Sequence, residues 1–355
     1  MDIPVMDGIT ATTITSPRIR TRVLFRHGDG DAVLFLHGNA SSATWWEEVM
    51  LALPPEYHAI APDQRGYGDA DRAKKIDATR GMGDLADDAF ALLDTLGLQK
   101  AHVVGHSLGG SVVWRMMMDH PERLLSVTQV SPGSPYGFSG TKGLDGELSY
   151  PDASGTGAGT VNPGFPPLMA AGDRSEDSPM SPRVVMNTHI WKPPFRAGRE
   201  EELLSSLLSE HVGPEEYPGD VAASANWPGF APGKSGPMNG LSPLYAGNVS
   251  QIWKAEVKPP VLWVHGIDDS IVNDASLYDL ATYGIMGIIP GWPGADVYPQ
   301  TPMVGQTRAV LEKMEANGGR FVEVALEDCG HSAYLEQPEA FNQRFHQHLA
   351  DAGRR

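Results

Sequence analysis

Short apolar runs alternate with stretches of helical periodicity up to about Pro132, and the alternation resumes at Val261. Residues 57–61, 101–105 and 124–130 read as strands. Between them, residues 45–53 and 108–118 carry helical spacing, and Leu85, Phe90, Leu92, Leu93 and Leu96 form one face of an acidic helix. Residues 18–25 alternate, and His27-Gly28-Asp29-Gly30-Asp31 separates them from the apolar run 32–36, so this pair reads as a hairpin. After Val261 come a buried-strand pattern at 261–264, helical stretches at 275–283 and 306–316, a strand at 321–326 and a helix at 338–349. Strands joined through helices require right-handed crossovers, which build a mainly parallel sheet flanked by helices: an α/β fold.

The rhythm breaks between the two blocks. Residues 133–258 contain 15 prolines and 18 glycines and few strand candidates. Two helices stand out there. One starts at Ser181-Pro182, with Pro at the first helical position. The other spans residues 199–211, with Leu203, Leu204, Leu207 and Leu208 as its apolar face. The expected organisation is therefore a core in two pieces, residues 1–132 and 259–355, with 133–258 as a long Pro/Gly-rich cap insertion. A second, smaller insertion covers residues 284–305.

A formal net charge of −17 with no basic run argues against nucleic acid or an anionic membrane as partner. No window approaches 18 consecutive apolar residues, and residues 1–7 lack the basic and apolar regions of a signal peptide. With Cys329 as the single cysteine, the expected location is a reducing cytoplasm. No HExxH, cysteine cluster or Walker sequence is present, so neither metal nor cofactor is expected. Gly155-Thr156-Gly157-Ala158-Gly159 has no strand before it, which excludes a nucleotide loop.

Gly105-His106-Ser107-Leu108-Gly109 matches G-x-S-x-G. A serine thrust out of a sheet by a sharp strand-to-helix turn needs small neighbours, because the turn strains the backbone and crowds it. Gly105, Gly109 and Gly110 supply that room, with a strand before the motif and a helix after it. A serine hydroxyl needs a base, and the base needs an orienting acid. His331, in Asp328-Cys329-Gly330-His331-Ser332, sits between the last strand and the last helix. Asp268 and Asp269 follow the strand at 261–264, and Asp274 lies slightly beyond them. Helix capping and turn formation account for whichever aspartates take no part in chemistry. His37, His106 and His265 sit at strand ends, where imidazoles bond neighbouring loops; His346 and His348 are expected to face solvent. Cys329 lies off the elbow and reads as a spectator thiol. Stabilising an oxyanion needs two aimed N–H groups. Leu108, directly after the serine, and Asn39, in the loop His37-Gly38-Asn39-Ala40 after the strand at 32–36, are the candidate donors.

With these residues in hand, the chain resembles the α/β-hydrolase superfamily, through Leu36-His37-Gly38-Asn39, Ala61-Pro62-Asp63-Gln64-Arg65-Gly66-Tyr67-Gly68, the elbow at 105–110, and residues 265–272 and 329–341. The resemblance covers most of residues 18–132 and 259–350. It implies the triad order Ser107, Asp269, His331. Asp269 is preferred over Asp268 because its spacing past Gly266 matches the family loop. It further implies hydrolysis of a neutral or apolar small-molecule ester or lactone by two-step acyl transfer, without metal or cofactor. Trp45, Trp46, Trp191, Phe195, Trp227 and Trp292 are candidate pocket walls, although core or cap packing is the better explanation for any one of them. A dehalogenase or epoxide hydrolase would carry Asp at the elbow. A carbon–carbon bond hydrolase with the same triad and a non-catalytic small-molecule receptor remain alternatives.

Overall fold

A computed structural model describes residues 3–353 of the chain. Its centre is an eight-stranded sheet: β1 (Thr10–Thr15), β2 (Arg20–Arg26), β3 (Ala32–Leu36), β4 (His58–Pro62), β5 (Ala101–His106), β6 (Leu124–Val130), β7 (Val261–Gly266) and β8 (Phe321–Leu326). Their spatial order is β1-β2-β4-β3-β5-β6-β7-β8. The β1–β2 and β2–β4 pairs are antiparallel. From β4 onward every pair is parallel.

The expected hairpin does not form, because β4 lies between β2 and β3. All five residues of β3 are buried, so both of its edges need partners, and parallel β4 and β5 supply them. Strand β1 is an exposed edge of mostly threonines, without the alternation that would announce it.

The period of a strand explains how the sheet is covered on both faces. Val33 and Phe35 enter one apolar cluster with Trp46, Phe341 and Phe345, while Leu34 and Leu36 enter the other with Val113, Trp114 and Val310. Helices α1 (Glu47–Ala52), α2 (Gly83–Thr95), α3 (Leu108–Asp119), α4 (Glu200–Leu207), α5 (Met303–Ala316) and α6 (Pro338–Gly353) are the longer ones that carry these arguments. On α6, His348 does not face solvent as expected. Its Nε2–H donates to the Val127 carbonyl at 3.0 Å, and burial lowers its pKa to about 4. His346 is also half-buried.

Residues 133–258 leave the sheet after β6 and return at β7, its immediate neighbour, so the sheet continues as if uninterrupted. Helix α4 is the principal seam. Trp45 Nε1 donates to the Leu203 carbonyl at 3.3 Å, Ser42 and Ser206 hydroxyls meet at 2.6 Å, and Arg199 pairs with buried Glu47 at 2.9 Å. The helix is shorter than its sequence pattern because the chain beyond it bonds elsewhere. Ser209 O accepts from Gly68 N–H, and His211 N–H donates to Gly66 O. The start at Ser181-Pro182 appears as Pro182–Val185, which runs directly into a π-helical turn, Met186–Ile190.

Candidate active site

The four segments singled out by sequence follow β3, β5, β7 and β8 at their carboxyl ends, where parallel α/β sheets gather their ligands. Ser107 sits alone between β5 and α3 with φ 55° and ψ −118°, a conformation that costs a non-glycine residue on the order of 1–3 kcal/mol. Bonds on either side hold it: Ser107 N–H donates to Val130 O at 2.9 Å, and Ser111 N–H to Ser107 O at 3.1 Å. The glycines are required by crowding. A Cβ on Gly105 would stand 2.4 Å from Gly109 O, and one on Gly109 2.2 Å from Leu36 O.

His331 Nδ1 lies 2.7 Å from Asp269 Oδ2, and both side chains are buried. The other oxygen of Asp269 accepts the N–H groups of Ile271 and Val272 at 2.8 and 3.0 Å, which fixes the carboxylate's orientation. Asp268 points away: its side chain is 42% exposed and pairs with Lys192 Nζ at 2.8 Å. Asp274 accepts from Val304 and Gly305 N–H, capping the start of α5. The two loops touch closely enough that a Cβ on Gly266 would sit 2.1 Å from Gly330 O.

Glu336 fixes the histidine's backbone. Its oxygens accept the N–H groups of Gly330 and Ser332, on either side of His331, and that of Lys192. His106 helps from beneath. Its Nε2–H donates to His331 O at 2.9 Å, and Tyr334 donates to its Nδ1 at 3.3 Å. Burial, with His331 nearby, holds His106 well below the usual imidazole range, so it stays neutral. His37 is neutral for the same reason, lowered to about 4 by burial, and accepts the Gln64 N–H at 3.0 Å. With its Nδ1 bonded to Asp269, His331 has Nε2 as its remaining ring nitrogen, and the residue lines the cavity. It makes no hydrogen bond to Ser107 Oγ here; such pairs commonly tighten only around substrate.

The loop after β3 lies against the serine: a Cβ on Gly38 would meet Ser107 Cβ at 3.1 Å. Among the described residues the amides of Asn39 and Leu108 have no acceptor, and both residues line the cavity that Ser107 lines. Ala40 has φ 50°, and its N–H donates to Glu210 Oε2 at 3.1 Å. Tyr67 OH donates to Asn39 Oδ1 at 2.8 Å. Glu210 is buried with no cationic partner among the described residues, and burial raises its pKa well above the ordinary carboxylate range. Thus a residue of the 133–258 segment holds the loop after β3.

The cavity has a volume of about 210 Å³. Ser107, His331, Asn39 and Leu108 meet there beneath walls that include Trp45, Phe165, Met238, Leu241 and Ile271. Among the described residues no Lys, Arg, Asp or Glu lines it. Of the six aromatic residues expected as walls, Trp45 alone is there. Trp46 is fully buried and stacks on Tyr334 at 4.3 Å, because the sheet face beneath needs filling. Trp191 is buried behind Trp45 at 5.9 Å, and Phe195 packs on its far side at 5.8 Å. Trp227 packs against Tyr298 and Trp292 covers Gly284, both away from the cavity. Cys329 is buried, and burial pushes its thiol up, which suits a spectator. Glu210, Glu336, Tyr217 and His189 have no sequence motif; long-range contact alone brings them in.

Residues 31–166 match the model of the family described as alpha/beta hydrolase fold. An epoxide hydrolase 2 from Siraitia grosvenorii is 35% identical over 127 residues, 36% of this chain and 40% of that one. The chain spans about half or less of the length of the curated relatives it matches first. Among solved structures, a thermophilic esterase from Thermogutta terrifontis aligns with TM-score 0.55 at 18% identity, covering 97% of this chain and 99% of that one. A 2-hydroxy-6-oxo-6-phenylhexa-2,4-dienoate hydrolase from Rhodococcus sp. strain RHA1 aligns with TM-score 0.58 at 18% identity, covering 96% and 99%. At these identities the structural likeness speaks for the fold. By sequence match and by architecture together, the chain has the α/β-hydrolase fold.

Proposed function

We propose that the protein is a serine hydrolase that cleaves a neutral, largely apolar carboxylic ester or lactone by two-step acyl transfer. The observation that carries this reading is the convergence on one cavity of a strained Ser107 and a His331 whose Nδ1 is bonded to buried Asp269. In this mechanism His331 Nε2 takes the Ser107 proton as Oγ attacks the carbonyl. The free N–H groups of Asn39 and Leu108 receive the oxyanion, and Asp269 stabilises the imidazolium. The same imidazole protonates the leaving oxygen, and water, deprotonated in turn by His331, releases the acid.

Residues 133–258 act as a cap over a core formed by 1–132 and 259–355. The cap supplies much of the apolar wall, among it Phe165, Ile190, Met238 and Leu241. The uncharged lining favours a neutral substrate. A dienoate such as the one named for the Rhodococcus neighbour brings a carboxylate, for which the cavity offers no cationic side chain. That favours ester over carbon–carbon bond hydrolysis. The single buried cysteine suits a reducing compartment.

The test is hydrolysis of a p-nitrophenyl ester panel by wild type, Ser107→Ala and His331→Ala. Each variant is expected to lose at least about 10⁴-fold in kcat while remaining folded. Turnover by Ser107→Ala at the wild-type rate would overturn the mechanism. Ligand binding by the wild type without any turnover would favour a receptor.

A further inference from the structure

Residues 186–190 of the cap form the π-helical turn, a geometry that recurs at functional positions. Its backbone is fastened to both loops that carry the acid and the base. Ile190 O accepts the His331 N–H at 3.1 Å, and His189 O accepts the Ser270 hydroxyl at 3.2 Å. The His189 side chain lines the cavity, and its Nδ1 is buried with no hydrogen-bond partner. Tyr278 lines the cavity beside it, ring against ring at 5.7 Å in an edge-on arrangement, and its hydroxyl makes no hydrogen bond among the described residues. An unpaired buried polar atom costs about 1–3 kcal/mol, and this one belongs to a ring that sits in a mostly apolar wall.

We propose that His189 and Tyr278 form a hydrogen-bonding subsite for a neutral oxygen or amide on the alcohol portion of the substrate. The inference rests on the serine-hydrolase reading above and narrows its substrate class. The side is set by chemistry. The leaving oxygen takes its proton from His331, so the departing alcohol lies on the side of the His331 loop, to which Ile190, next to His189, is bonded. The acyl oxygen lies toward Asn39. Burial lowers the pKa of His189, so at neutral pH the ring is uncharged and presents one donor and one acceptor. With a phenol beside it and no cation in the lining, the subsite selects a polar but uncharged group, such as an ether, hydroxyl or amide. A site built to hydrogen-bond a substrate group discriminates strongly against analogues that lack it.

The experiment compares kcat/KM for esters of one acid with matched alcohols. Pentanol is set against 3-methoxypropanol and 2-ethoxyethanol, which place an ether oxygen at successive positions of a chain of similar length. Wild type is expected to prefer at least one oxygenated ester by about tenfold. His189→Phe and Tyr278→Phe, which keep the rings and remove the polar atoms, should bring that ratio toward one, and His189→Asn should restore part of it. Fold is checked by thermal melting, and site integrity by fluorophosphonate labelling of Ser107. No preference in the wild type, or a ratio unchanged in both Phe variants, would overturn the subsite. No turnover of any ester, pentyl included, would contradict the serine-hydrolase reading and the subsite with it.

Discussion

The floor and the roof of the cavity are built in different ways. The floor consists of loops at the ends of the parallel strands β3, β5, β7 and β8, and its groups are positioned by the sheet and by local bonds. The roof is drawn largely from residues 133–258, in which π-turn, short ribbons and loops are held by contacts to distant parts of the chain. The lesson is a division of labour: substitutions in the floor should change kcat, whereas substitutions in the roof should change which substrate is accepted. Glu210 breaks the division, because it belongs to the roof in sequence and bonds the floor's Ala40 amide.

The largest effect expected in the floor, short of removing Ser107 or His331, is at the acid. Asp269→Asn should lower kcat by about 10²–10⁴-fold, since an amide presents the wrong partner to His331 Nδ1. Asp268→Asn, whose carboxylate faces Lys192 at the surface, should stay within about twofold. Steady-state kinetics on one ester separates the two, and equal losses would mean that the floor is not ordered as described.

Glu210 tests the boundary between the regions. Glu210→Leu should reduce kcat by roughly 10–100-fold with little change in KM, because one oxyanion donor is worth about 3–4 kcal/mol when removed and less when merely displaced. Glu210→Gln retains an oxygen to accept the Ala40 N–H and should recover most of the loss. A rise in KM at constant kcat would instead assign Glu210 to substrate contact.

The smallest effect lies outside both regions. His102 is buried within the sheet, bonded to Ser126 at 2.8 Å, and burial lowers its pKa to about 4. The unfolded chain, titrating near 6.5, takes up a proton in that window and the fold does not. This contribution to stability is therefore present above about pH 6.5 and lost as pH falls toward 4. His102→Asn should show about one proton fewer taken up on unfolding near pH 5, measured from the pH dependence of denaturant unfolding, with kcat unchanged.

The same contrast governs what could be read from the residues alone. Gly105 and Ser107 announce themselves because crowding and strain are local there, Gly109 belongs to the same short motif although its crowding comes from Leu36, and His331 follows from its place between the last strand and helix. Asp268 and Asp269 are neighbours of the same type. Which one turns inward depends on the N–H groups of Ile271 and Val272 and on the attraction of Lys192, a residue 76 positions away. Glu210 and Glu336 act on backbone amides brought together by folding, so no spacing marks them. The aromatic residues mislead because size and apolarity suit a core as well as a pocket: Trp46 fills the sheet face, and Trp45 beside it reaches the cavity. The β2–β3 hairpin fails for a related reason. A turn signal records that two strands are consecutive, and pairing is decided by which strand needs both edges covered.

The central claim is that Ser107 attacks the substrate carbonyl. Rapid acid quench of the wild type reacting with a p-nitrophenyl ester, followed by intact and peptide mass spectrometry, tests it directly. The expected result is a single acyl adduct on the peptide carrying Ser107, formed at a rate consistent with turnover and absent in Ser107→Ala. An adduct on another residue, or turnover with no adduct in a burst-competent assay and none with fluorophosphonate, would contradict it.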